Sequence, residues 1–183
     1  GIGTSALLAN TTADNNTAIG YNALVANTTG SNSTAVGSDA LLSNTTGVQN
    51  NAFGRQALDA NTTGNHNSAF GVNTLGANTT GGSNSGFGRG ALQSNTTASN
   101  NTAIGSLALN ANTTGTSNTA VGGNALDSST TGEQNTAVGH NCGHRITTGS
   151  FNALLGKSAG QGLTTNGYSV AVGFETLTDT SLS

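Results

Sequence analysis

Apolar residues recur along this chain at a fixed interval. A branched or aromatic residue stands before each of Gly3, Gly20, Gly37, Gly54, Gly71, Gly88, Gly105, Gly122, Gly139, Gly156 and Gly173, glycines that follow one another every 17 residues without insertion. That column reads Ile2, Ile19, Val36, Phe53, Phe70, Phe87, Ile104, Val121, Val138, Leu155, Val172. Two residues earlier stands Thr, Ser or Asn, becoming Ala153 and Val170 near the end, with Ala between the two columns in most units. Period-two alternation predicts a short strand. Its larger members are expected to face inward, leaving the small Ala column outside, where another surface packs against it.

Three residues after the glycine comes Ala-Leu, as in Ala23-Leu24 and Ala57-Leu58, read as a second strand whose leucine is the second rail of the core. Three residues further runs Asn10, Asn27, Asn44, Asn61, Asn78, Asn95, Asn112, then Ser129, Ile146 and Leu163. Where Ile146 and Leu163 appear, the leucine column holds Gly143 and Gly160. A large side chain lost in one column and gained in the other implies that both reach one interior space. The Asn column is therefore internal or at a corner, its amides bonding along the axis. The two glycine columns, the second being Gly30, Gly47, Gly64, Gly81, Gly115, Gly132 and Gly149, mark bends.

Strict periodicity makes the chain a single repeat domain over 1–183: an all-β parallel β-solenoid, or β-roll, of ten to eleven 17-residue turns, roughly 48 Å long. Residues 134–183 drift from the common unit and are read as turns near an end or junction. The chain begins and ends inside a unit, which we read as a segment of a longer fibre protein. The thin core leaves an isolated coil marginal against its ordering entropy, so association is expected, as a homotrimer meeting along the Ala column.

Composition narrows function. Charged residues are 6% of the chain and the formal net charge is −3, which provides no basic surface for nucleic acid. No apolar run reaches the roughly 20 residues of a membrane span, so no membrane insertion is expected in this segment. One cysteine, Cys142, cannot form an intrachain disulfide. His140-Asn141-Cys142-Gly143-His144 has ligand-like spacing, but Cys142 falls in a column of small alanines and reads as buried, so no metal site is assigned. The carboxylates Asp14, Asp39, Asp59, Asp127, Glu133, Glu175 and Asp179 are scattered over variable columns, and Gly156-Lys157-Ser158 lacks the rest of a phosphate loop. No catalytic residue or cofactor is assigned, and the chain is read as a non-enzyme. Asn-x-Thr sequons are repeat composition, and glycosylation of the Asn column would require it to point outward.

The unit Asn101-Thr102-Ala103-Ile104-Gly105, with Asn-Ala-Leu and Asn-Thr-Thr-Gly, resembles the head repeats of trimeric autotransporter adhesins. It is similar also to repeats of phage tail fibres. That resemblance implies left-handed parallel β-rolls wound as trimers, a host-surface or glycan receptor, and an extracellular, cell-surface or virion location. The turn here is longer than in the best-known adhesin heads. The variable columns after each glycine, such as Tyr21-Asn22, Arg55-Gln56, Arg89-Gly90 and His140-Asn141, would offer contacts. The alternative reading is an ice-binding solenoid: Thr11, Thr28, Thr45 and their successors form one column, the following threonines another, and adjacent residues face opposite ways, leaving one row exposed.

Overall fold

The computed structural model describes residues 1–178. Ten three-residue strands follow in order: β1 (Thr17–Ile19), β2 (Thr34–Val36), β3 (Asn51–Phe53), β4 (Ser68–Phe70), β5 (Ser85–Phe87), β6 (Thr102–Ile104), β7 (Thr119–Val121), β8 (Thr136–Val138), β9 (Ala153–Leu155) and β10 (Val170–Val172). They form one sheet in sequence order, each strand parallel to the next and shifted by one unit, as in Thr34↔Asn51, Ala35↔Ala52 and Val36↔Phe53. The fold is a parallel β-solenoid. Ten strands enclose about nine complete turns, fewer than the ten to eleven expected, because the first unit contributes only an isolated bridge, Ile2 to Ile19. Among the described residues there is no helix, and so none long and apolar enough to cross a membrane.

The strand face is the reverse of the sequence expectation. Ala18, Ala35, Ala52, Ala69, Ala103, Ala120 and Ala137 are buried, while the Thr and Ile/Val/Phe columns on either side are half-buried or exposed. A strand of three residues sends either its middle or its two ends inward, and a coil this narrow accommodates only the middle one.

The predicted second strand does not form. The Ala-Leu segment is a chain of turns in which Leu24, Leu41, Leu58, Leu75, Leu92, Leu109 and Leu126 hold φ of 51–54°, each two residues after another left-handed position such as Asn22 or Gln56. The alternation sends successive N–H groups to different turns. Asp39 N–H donates back to Tyr21 O (2.9 Å), Ala40 to Gly37 O within its own turn (3.4 Å), and Leu41 onward to Ala57 O (3.0 Å). A left-handed leucine costs on the order of 1–2 kcal/mol. Complete burial of its side chain and an axial hydrogen bond offset that strain.

The core therefore consists, per turn, of two alanines, one leucine and two asparagines. The Asn10 column is internal, as expected. Asn44 Nδ2 donates to Asn27 Oδ1 (2.9 Å) and to Gly47 O (3.0 Å), and the pattern repeats at Asn61, Asn78, Asn95 and Asn112. A second internal ladder runs immediately before the strands. Asn50 Nδ2 donates to Gly64 O (2.7 Å) and Asn50 Oδ1 accepts from Asn67 N–H (3.0 Å), with Asn67, Asn84, Asn101, Asn118, Asn135 and Asn152 continuing it. Along both ladders the buried amides use donor and acceptor alike, Asn112 Oδ1 excepted.

The glycine before each Ala-Leu turn bends the chain at positive φ (Gly54, +139°), where a Cβ would also strike the backbone of the next turn. The second glycine column is not left-handed. A Cβ on Gly64 would instead collide with Gly81 O and Asn61 Oδ1, so glycine is there for room.

The exchange between Gly143/Gly160 and Ile146/Leu163 is a shared-volume effect, with a third participant. A Cβ on Gly143 would lie 2.8 Å from Leu154 Cδ1 and 3.2 Å from Ile146 Cδ1; one on Gly160, 2.9 Å from Leu154 Cδ1 and 3.3 Å from Leu163 Cδ1. Leu154 stands where other strands carry Ala. Gly86 in β5 is matched likewise by Thr74, whose Cγ2 lies 2.6 Å from where a Cβ on Gly86 would stand.

Candidate functional site

The outward strand face is a regular surface that runs through all ten strands. Inward alanines turn the flanking residues out, so the sheet displays two parallel rails, one of Thr, Ser or Asn and one of Ile, Val or Phe. Ile19 is 40%, Phe53 37%, Phe87 40% and Ile104 43% exposed. In the middle Phe53, Phe70 and Phe87 form a stack with centroids 4.7 and 4.8 Å apart and planes within 7°. No strand residue is charged. Towards β9 and β10 the hydroxyls disappear and Leu155, Val170 and Val172 stand exposed. Nine intervals at about 4.8 Å make the face about 43 Å long, and its two rails stand about 7 Å apart. The strip the two rails enclose is on the order of 300 Å², one edge polar as far as β8 and the other apolar throughout. Chemically the face offers apolar contact and hydroxyl hydrogen bonds.

Hydrophobicity alone places the large apolar column inside, which hides this face in the sequence. A usable signal is present: the column varies from Val36 through Phe53, Phe70 and Phe87 to Ile104, and the residues that change with it, Asn51, Ser68 and Ser85, stand on the same face of the strand, whereas departures in the Ala column, Gly86 and Leu154, are compensated by Thr74, Gly143 and Gly160. An interior column cannot vary so freely. The expected seam along the Ala column is excluded by its burial.

The two threonine columns divide as anticipated. Thr28, Thr45, Thr62, Thr79, Thr96 and Thr113 each donate Oγ1 to a carbonyl of the next turn at 3.0–3.1 Å, while Thr29, Thr46, Thr63, Thr80, Thr97 and Thr114 are exposed. The sequon asparagines of the inner column, Asn27 through Asn112, are fully buried and hydrogen-bonded, so they are closed to glycan attachment.

The histidine–cysteine segment is not brought together. Cys142 is buried in the core and its thiol is pushed up to about 11 by desolvation, His140 is exposed, and half-buried His144 places Nδ1 3.2 Å from Asn141 O. Among the described residues no group of three or more His, Cys, Asp or Glu side chains converges. Of the carboxylates, Asp59 and Asp127 are raised above the usual range, in both chiefly by burial; Asp127 is partly offset by the nearby His144. Asp39 accepts from Asn22 Nδ2 and Ser38 Oγ. Asp179 lies outside the described residues. Lys157, in the phosphate-loop-like triplet, sits 5.2 Å over the ring of Phe174. No protein-family model, curated protein or solved structure matches this chain.

Proposed function

We propose that this chain is a non-catalytic, extracellular or virion-borne fibre segment. Three copies associate along the outward Thr and Ile/Val/Phe rails to make a stiff shaft or head that attaches to a surface. The observation that carries the reading is the uninterrupted, uncharged rail ending in a wholly apolar stretch at β9 and β10. Leaving such a strip in water forgoes about 25 cal/mol for each Å² of apolar surface, and a second copy offers the same residues at the same 17-residue interval. Continuous axial hydrogen bonding supplies stiffness. Surface attachment through weak contacts repeated along three chains supplies avidity towards a host-surface or glycan receptor.

Light scattering at low micromolar concentration tests this. The expected mass is about three times 17.8 kDa, and Ile104→Asp should give a folded monomer while Thr63→Asp, on the exposed threonine row, leaves the mass unchanged. A wild-type monomer would overturn the assembly.

Ice binding is the second reading, favoured by the strand-face array of Thr17 and Thr136, exposed, and Thr34, Thr102 and Thr119, half-buried, each with a branched residue two positions on. On that array the two readings need the same face; on the exposed row of Thr29, Thr46, Thr63, Thr80, Thr97 and Thr114, to which the sequence pointed, they do not. The Phe stack, flanked by Asn51, Ser68 and Ser85, interrupts the flat hydroxyl–methyl array and weighs against it. Thermal hysteresis from a monomer, abolished by Thr119→Lys, would favour ice.

A further inference from the structure

On the corner formed by the Ala-Leu turns, the fifth residue after each glycine forms a surface row: Leu42, Asp59, Gly76, Gln93, Asn110, Asp127, His144. Gly76 alone in that row has no side chain. Its absence opens a recess of about 400 Å³ spanning three turns, with Asp59 and Gln93 at its two ends, Gln56 and Asn73 on one wall and Ser94 on the other.

We propose that this recess binds one sugar residue of a glycan. The class follows from the lining. Every polar side chain is a carboxylate, an amide or a hydroxyl, the groups that bond vicinal hydroxyls in pairs, and no lining residue is cationic. Donors and acceptors stand side by side: Gln93 Oε1 meets only Asn110 Nδ2 at 3.3 Å, Asn73 Oδ1 has no hydrogen-bond partner, and the amide N–H groups of Gln56, Asn73 and Gln93 and the Ser94 hydroxyl lie beside them. A ligand whose hydroxyls both donate and accept fits that mixture, whereas a phosphate or carboxylate would be repelled by Asp59. The volume lies at the lower end of the range of small-molecule sites, enough for a pyranose ring. The proposal deepens the attachment reading and rests on it, supplying a local contact that the threefold assembly would repeat on three chains.

Gly76 is not left-handed, and a Cβ there would lie 3.3 Å from Asp59 Oδ1 and 3.4 Å from Asn73 O, so a side chain can enter once the Asp59 carboxylate shifts slightly. Gly76→Gln, which gives this turn the residue of the next, therefore fills the recess in a folded protein. The test is titration of ¹⁵N-labelled full chain with the methyl glycosides of galactose, glucose, mannose and N-acetylglucosamine at millimolar concentration. Amide shifts are followed by NMR, and mass is measured on the same sample. At least one glycoside should give saturable shifts at Gly76, Ala77 and Gln93. Gly76→Gln should abolish them, and Asp59→Asn should weaken binding at least about tenfold, as expected for losing a charge-assisted hydrogen bond. Absence of saturable shifts with all four, or shifts that survive Gly76→Gln, overturns the recess. Either result leaves the trimer reading standing if the mass is that of three chains, and a monomer that still binds would overturn the trimer alone.

Discussion

A serine in place of one asparagine leaves two buried oxygens without partners. Asn112 Oδ1 and Ser129 Oγ are both buried and unpaired, because the shorter side chain at 129 cannot donate across the turn as Asn61 or Asn78 does. Ser129→Asn should extend the amide ladder by one rung and raise stability by about 1 kcal/mol in urea melts. Asp59 carries the opposite kind of misfit. Its carboxyl is raised by burial, so the folded chain holds the proton more tightly than the unfolded one. Its charge therefore weakens the fold at neutral pH. The contribution improves as pH falls through the folded-state pKa and is constant below the unfolded value of about 3.9. Asp59→Asn should flatten that gain between neutral pH and about pH 4 in thermal melts; an unchanged profile would show that the buried charge has no influence on stability. At this scale the sequence was partly legible. The Asn10 column, and the burial of Cys142 among alanines, followed from column identity alone. The inner ladder through Asn50 and Asn67 did not, although its near-constancy beside a varying neighbour was a signal of burial.

Elements here are three residues long, too short for amphipathic pattern to decide which face is inside. Hydrophobicity pointed to Ile and Phe, but volume decided for Ala, since a turn already holding a leucine and two asparagines has no room for more. The corner leucines escaped notice for a different reason: left-handed leucine is rare in isolation and is sustained here by axial bonds that only stacking provides. The exchange among Gly143, Ile146 and Leu154 was legible in part, through two of its three members. Gly143→Ala should overpack this region and cost about 1–3 kcal/mol, part of it the left-handed strain at φ +60° that the corner leucines of other turns also carry. Leu154→Ala alone leaves a cavity, and the two together should be less destabilising than their sum. A double-mutant cycle in denaturant would measure this coupling, and strict additivity would refute the shared volume.

Across the whole molecule each turn touches only its neighbours, so stability propagates along one dimension. A single obstruction in the middle should act as a local fault. Gly88, at φ +131° with the Gly105 carbonyl 2.6 Å from any Cβ, is such a point. Gly88→Ala should cost about 3 kcal/mol and raise amide exchange in the turns around β5 and β6, while turns near β1 and β9 keep their protection. Uniform loss of protection would mean that the rod unfolds as one unit. The period and the parallel stacking were readable from the glycine spacing. Which column faces out was not readable from it: the Ala column expected outside is the one the core consumes.

Stacking like on like also bears on how such a gene can change length. Because β2 meets β3 through the same pairs with which β6 meets β7, an in-frame loss or duplication of one unit joins surfaces that already fit. Replication slippage would thus shorten or extend the rod without a new core having to evolve. Two places resist. A crossover that separates Thr74 from Gly86 strands a methyl against an alanine or leaves a hole, and one that parts Leu154 from Gly143 and Gly160 does worse. Length variants in natural populations should therefore have their breakpoints outside those two cassettes, with each cassette inherited or lost whole.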